Sequence, residues 1–212
     1  LKRLHQTPGP ADLPMIDAPQ MLRGETLSPV MSLLVALDQA RALPHVDKGL
    51  IDDIERLVYE LTSAIEPFTS DYLVHGDLTF ENVLWDGREI TAILDFEWAR
   101  TSPPDVDLDV FLRFCCLPQF HVGDEWVART RPEDYADVPW WLQEDYPELF
   151  GAPRQLDRLR LYAVAYDLRD LTMFPPAAPA SQLSEHHALN RLRSTLVGRG
   201  HLDLLDATTG VV

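Results

Sequence analysis

Val74-His75-Gly76-Asp77-Leu78-Thr79-Phe80-Glu81-Asn82-Val83-Leu84, followed by Ile93-Leu94-Asp95-Phe96-Glu97, is the stretch whose reading decides the fold. Four residues separate Asp77 from Asn82, and Asp95 follows an apolar run directly and precedes Phe96. Asn82 to Trp85 and Glu89 to Leu94 read as two strands joined at Asp86-Gly87, a strong hairpin signal. Such a hairpin folds Asn82 back beside Asp95. A lone His-Gly-Asp triplet would carry little, because Gly-Asp pairs are ordinary turn chemistry. The order and spacing of Asp, Asn and Asp carry the argument.

Three oxygen-bearing side chains in that order suit metal-dependent phosphoryl transfer, and the Asp77 to Asn82 spacing is that of a kinase catalytic loop. This chemistry asks the protein mainly to orient a hydroxyl nucleophile and to neutralise phosphate charge, chiefly with Mg²⁺. Mg²⁺ takes a few hard oxygen ligands and keeps several waters. Asp77 is therefore expected as the catalytic group that accepts the acceptor hydroxyl's proton or hydrogen bond, with Asn82 and Asp95 as the metal ligands. His75 precedes Gly-Asp, a place that suits bracing the loop by hydrogen bonds better than acting as a base. Glu97 is a secondary candidate that approaches metal or substrate, or else caps the strand end.

These residues resemble the aminoglycoside phosphotransferase and choline kinase family, small-molecule relatives of the protein kinases. The resemblance rests on His75-Gly76-Asp77-Leu78, Asn82 and Asp95-Phe96-Glu97, then a turn and a further Asp-Leu at Asp107-Leu108. It implies a protein-kinase-like fold, Mg²⁺ and ATP or GTP as cofactors, and Asp107 as a buried carboxylate that orders the loop. It also places substrate binding within residues 123–150 and makes antibiotic resistance one biological setting. Leu1 to His5 resembles the end of the helix that follows the hinge in this family. The only lysines are Lys2 and Lys48, and no Gly-x-Gly-x-x-Gly occurs, so neither the phosphate-covering loop nor the strand lysine is present. The expectation is an α+β, mainly α-helical chain that forms the C-terminal lobe of a kinase-like fold with a small catalytic β-hairpin. Its partner would be a missing N-terminal nucleotide-binding lobe. Within a single domain over 1–212, residues 1–27 would be irregular, 28–118 the catalytic core and 119–212 a helical substrate-binding subdomain.

Composition narrows the partners. With 212 residues and 46% hydrophobic content, the chain can bury one substantial core. A net charge of −16 argues against nucleic acid and anionic membranes and is compatible with a cationic hydroxyl-bearing small molecule, although acidic surfaces also serve solubility alone. No run approaches a membrane span, and a cytoplasmic location is expected. The adjacent Cys115 and Cys116 follow apolar residues and read as buried structural thiols. His121, His186 and His187 show no ligand spacing.

Helical periodicity predicts helices over 28–43 (Met31, Leu34, Val35, Leu37), 47–65 (Leu50, Ile51, Ile54, Leu57, Val58, Leu61, Ile65), 107–116, 156–171 and 183–197, with Ser28 and Asp47 as N-caps. Gln6 to Arg23 reads as a Pro-rich surface loop. Between 123 and 150, acids lie among Trp126, Tyr135, Trp140, Trp141 and Tyr146. That mixture suits holding an organic cation, or packing a short helical hairpin. Two other functions compete: a hydrolase using Asp77 and Asp95 as a carboxylate pair, which leaves Asn82 unexplained, and a non-catalytic scaffold that retains the fold.

Overall fold

A computed structural model describes residues 1–9, 28–65, 68, 72–203 and 205. In chain order its regular elements are α1 Lys2–His5, α2 Pro29–Arg41, α3 Lys48–Leu61, β1 Leu73–Val74, β2 Val83–Trp85, β3 Ile90–Ile93, β4 Arg100–Thr101, α4 Asp105–Cys116, α5 Asp124–Val127, α6 Val138–Asp145, α7 Gln155–Met173 and α8 Ala188–Leu196. Short 3₁₀ turns link several of them, among them Phe80–Asn82 and Phe96–Trp98. The protein is thus mainly helical with small sheets, as the sequence predicts. The described residues fall into two compact units, one from 1–9, 72–152, 201–203 and 205, the other from 28–65, 68 and 153–200.

The first unit carries the sheets. β1 pairs antiparallel with β4 (Leu73 opposite Thr101, Val74 opposite Arg100). The expected hairpin is β2 against β3, with Val83 opposite Ile93 and Leu84 opposite Ala92. Its turn closes as predicted: Asp86 Oδ1 accepts from the N–H groups of Arg88 and Glu89 at 2.9 and 3.0 Å, and Gly87 takes φ 98°. Those two backbone donors hold the Asp86 carboxyl below its ordinary range. α4 starts at Asp105, two residues before the expected Asp107, and is buried along almost its whole length. Phe111, Phe114 and Cys115 form its core, covered by Tyr135, Val138 and Leu142. Burial pushes the Cys115 thiol up to about 12, in keeping with an inert packing role.

The second unit is a helical core of α2, α3, α7 and α8. Ser28 Oγ accepts from Met31 N–H at 3.3 Å and Asp47 Oδ1 from Gly49 N–H at 2.9 Å, so both predicted N-caps are in place. The buried stripe of α3 is Leu50, Ile51, Ile54, Val58 and Leu61, as its periodicity predicts. On α2 the buried face is Val30, Leu33, Ala36, Leu37 and Ala40, whereas Met31 and Val35 are exposed. The small alanines line the packed side there, and a reading weighted toward large side chains shifts the stripe. α8 begins at Ala188 rather than near Leu183, because a 3₁₀ turn at Ala180–Gln182 intervenes and the His187 side chain caps the helix, accepting from Leu189 N–H at 3.2 Å. Arg191 ties α8 to α7 through Asp167 at 2.8 Å and Asp170 at 2.5 Å.

The Pro-rich 6–23 segment lies outside the described residues from Pro10 onward. Among the described residues no helix is long and apolar enough to cross a membrane.

Candidate active site

Backbone geometry sets the site before any side chain acts. Gly76 takes φ 82°, and a Cβ there would collide with the Arg100 guanidinium and the Trp98 carbonyl. Glycine alone fits this turn. It lets two successive N–H groups converge on Asp107: His75 N–H on Oδ2 at 2.9 Å and Gly76 N–H on Oδ1 at 2.7 Å. Burial is the strongest single influence on the Asp107 carboxyl and works to raise it. The hydrogen bond and charge of His5, with the N–H groups of Gly76 and His75, outweigh burial and hold it below the ordinary carboxylate range. Asp107 is fully buried and on α4, so the loop is anchored to a helix inside the core.

His75 is fully buried, and its partners define its tautomer. Nδ1 accepts from Asp77 N–H at 3.3 Å, so Nε2 carries the proton and donates to the Leu94 carbonyl at 2.7 Å. The ring also lies 4.8 Å from that of Phe96. With both nitrogens engaged in bracing, His75 is not placed as a general base.

Two further bonds hold Asn82 in place. Asn82 Nδ2 donates to the Asp77 carbonyl at 2.9 Å, and Leu94 N–H donates to the Asn82 carbonyl at 2.8 Å. Asn82 is thus fastened to Asp77 on one side and to the residue preceding Asp95 on the other. The amide orientation leaves Oδ1 as the accepting atom of Asn82. Asp95 is exposed and takes φ 60°, ψ 62°, a left-handed conformation uncommon outside glycine. Asp77 is half-buried. Glu97 is exposed on the 3₁₀ turn that follows Asp95. An amide oxygen and an exposed carboxylate, with room for waters, are the donors Mg²⁺ prefers. Among the described residues no group of three or more His, Cys, Asp or Glu side chains could hold a metal by itself.

Residues 123–150 form two short helices, α5 and α6, and 3₁₀ turns at Pro132–Tyr135 and Pro147–Phe150. Trp126, Trp140 and Trp141 are about half exposed. Tyr135 instead packs inward, edge-on to Phe114 at 5.0 Å and stacked on Phe80 at 6.0 Å. Phe80 belongs to the loop itself, so the segment touches the loop through an aromatic cluster. Burial, first, and then the charges of Asp134 and Glu81 keep the Tyr135 phenol protonated above its usual range.

Sequence reasoning gave no role to Phe80 and missed the contact of His5 with Asp107. His5 Nε2 lies 3.0 Å from Asp107 Oδ2. A histidine in a four-residue helix and a phenylalanine between a threonine and a glutamate carry no periodic signal, and only the tertiary contact reveals them.

No curated protein and no solved structure matches the chain. A family model described as the phosphotransferase enzyme family (APH) matches residues 1–138 of the 212. That span holds His75, Asp77, Asn82, Asp95 and Asp107. With more than half its length matched, the chain belongs to the phosphotransferase enzyme family.

Proposed function

We propose that the chain is the catalytic and acceptor-binding C-terminal lobe of an ATP- or GTP-dependent small-molecule O-phosphotransferase. The observation that supports the reading is the fastening of Asn82 to both the Asp77 carbonyl and Leu94 N–H, at 2.9 and 2.8 Å, which links Asn82 to the backbone of Asp77 and of the residue preceding Asp95. Asp77 orients the acceptor hydroxyl and takes its proton as attack on the γ-phosphorus proceeds. Asn82 Oδ1 and the Asp95 carboxylate hold Mg²⁺. When bound, the ion supplies charge neutralisation for the donor phosphates. Asp107 and His75 keep the loop in place, and Glu97 stands in reserve at its rim.

The acceptor is a hydroxyl-bearing small molecule bound against residues 123–150, where half-exposed tryptophans and exposed acids favour an organic cation. The phosphate-covering loop and pairing lysine come from an N-terminal lobe, because neither lysine of this sequence sits on a strand beside the site: Lys2 is in α1 and Lys48 opens α3. The protein acts in the cytoplasm, without nucleic acid or membrane partners.

The test is transfer of labelled γ-phosphate from ATP and from GTP to a panel of hydroxyl acceptors by the full-length protein. Transfer that needs Mg²⁺ and Asp77 supports the reading. Hydrolysis of a glycoside without nucleotide would replace it with the carboxylate-pair hydrolase. Tight binding of the same acceptors with no transfer from either nucleotide would leave a scaffold.

A further inference from the structure

We propose that Phe80 and Tyr135 are positioning residues for Asn82: their stacked rings tie the turn that carries Asn82 to helix α4 and to the 123–150 segment. The role rests on reading residues 75–82 as the catalytic loop and Asn82 as a metal ligand. Phe80 opens the 3₁₀ turn Phe80–Asn82, three residues after Asp77 and two before Asn82. Its carbonyl accepts from Val83 N–H, and Asn82 N–H donates to the Thr79 carbonyl at 3.2 Å. The backbone that bears the ring is therefore the backbone that sets Asn82. A displacement of Phe80 is passed to the amide side chain two residues on.

Three other rings hold that of Phe80. It meets Phe111 and Phe114 edge-on, at 5.7 and 5.3 Å, with interplanar angles of 76° and 84°. Those two residues lie three apart on α4 and so share a face. Tyr135 stacks on Phe80 at 6.0 Å and 25°, and it meets Phe114 edge-on at 5.0 Å, which closes a triangle of rings. Edge-on and offset-stacked pairs are the arrangements aromatic rings prefer, and they fix orientation as ordinary apolar contact does not. Phe80 nonetheless stays 41% exposed, whereas Phe114 is 1% exposed. A small or polar residue would close a 3₁₀ turn without leaving that apolar surface in water, so burial does not account for a phenylalanine here. Orientation does. Tyr135 ends the turn Pro132–Tyr135, which the ion pair of Arg131 with Asp134, at 3.2 Å, ties at its start. The stacked rings thus carry the placement of the 123–150 segment to Asn82.

The test is hydrogen exchange by nuclear magnetic resonance on the isotope-labelled, full-length protein, read at the backbone amides of Asn82 and Val83 with α3 amides as control. Tyr135→Leu should speed exchange at both amides about twofold to tenfold, the range that loss of one aromatic pair gives, with α3 unchanged. Phe80→Leu should do the same, and the double variant should exceed it by less than about twofold, because the two rings act as a pair. Tyr135→Phe keeps the ring and should leave exchange at Asn82 and Val83 as in the wild type. In transfer assays the half-saturating Mg²⁺ concentration should rise about twofold to tenfold in Phe80→Leu, a readout that a merely structural ring would not move. Where Tyr135→Leu does not fold, Phe80→Leu decides alone, since its ring is already 41% exposed. Unchanged exchange in Phe80→Leu, multiplied effects in the double variant, a Tyr135→Phe protein that behaves as Tyr135→Leu, or equal acceleration in α3 would each overturn the proposal. Faster exchange with an unchanged Mg²⁺ requirement would reduce the rings to a structural contact and overturn it too. Exchange needs no phosphate transfer. Unchanged exchange together with an inactive Asp77→Asn enzyme would sink the positioning role alone, whereas an active Asp77→Asn enzyme would sink the catalytic reading and the positioning role with it.

Discussion

The two units are held in different ways. In the helical unit, α3 presents Leu50, Ile51, Ile54, Val58 and Leu61 to an apolar core, so its stability is spread over many small contacts. In the unit with the sheets, the loop at 75–82 hangs on a few polar points: Asp107 takes three donors and His75 joins Asp77 to Leu94. Apolar packing tolerates change in proportion to volume lost, whereas a buried carboxylate stripped of its donors fails abruptly. The first arrangement builds a scaffold, and the second fixes a few oxygen atoms in place.

The comparison breaks most visibly at Asp77. Asp77→Asn in the full-length protein should lower kcat by about 10²–10⁴-fold with nucleotide KM little changed, because the proposed role of the side chain is at the acceptor hydroxyl rather than the nucleotide. Steady-state kinetics with chemistry rate-limiting decide it, and turnover near wild type removes the role.

Next in size is Asp107→Ala, which leaves buried donors without their acceptor and should cost about 3–5 kcal/mol in denaturant unfolding. The same carboxylate predicts an acid limb. Its folded-state pKa lies below the ordinary value of 3.8, so the unfolded chain binds more protons. Its stabilisation is in place above that value and disappears as pH falls through the lower folded one. A pH titration of stability should therefore lose part of its acid-side slope in Asp107→Asn.

How much of this was legible follows the same division. The α3 stripe, the Ser28 and Asp47 caps, the hairpin turn and the pairing that brings Asn82 beside Leu94 could be read because periodicity and fixed spacing are local properties of the chain. The bond from His5 to Asp107 spans 102 positions in sequence and has no pattern to announce it. Phe80 was hidden for the same reason: its partners Phe111, Phe114 and Tyr135 come from distant segments. The inward face of α2 was misjudged because Ala36 and Ala40 bury as surely as leucine but weigh little in a periodic count.

Smaller effects sharpen the contrast from the apolar side. Ile54→Ala, at a side chain with no exposed surface, should cost about 2–5 kcal/mol and leave transfer kinetics of the folded fraction unaltered. Ser28→Ala, which removes the cap on Met31 N–H, should cost about 1 kcal/mol. Thermal or urea unfolding with parallel activity assays separates these from the loop variants. An Ile54→Ala protein that kept its stability but lost turnover would erase the distinction between the two units.

The central claim, that Asn82 and Asp95 share one Mg²⁺ beside Asp77, is tested most directly by paramagnetic relaxation with Mn²⁺ and nucleotide on the full-length, isotope-labelled protein. Broadening should centre on the Asn82 side-chain amide and the backbone of Asp95, and be lost in Asp95→Asn. Broadening centred among the acids of residues 123–150, and unaffected by Asp95→Asn, would contradict it.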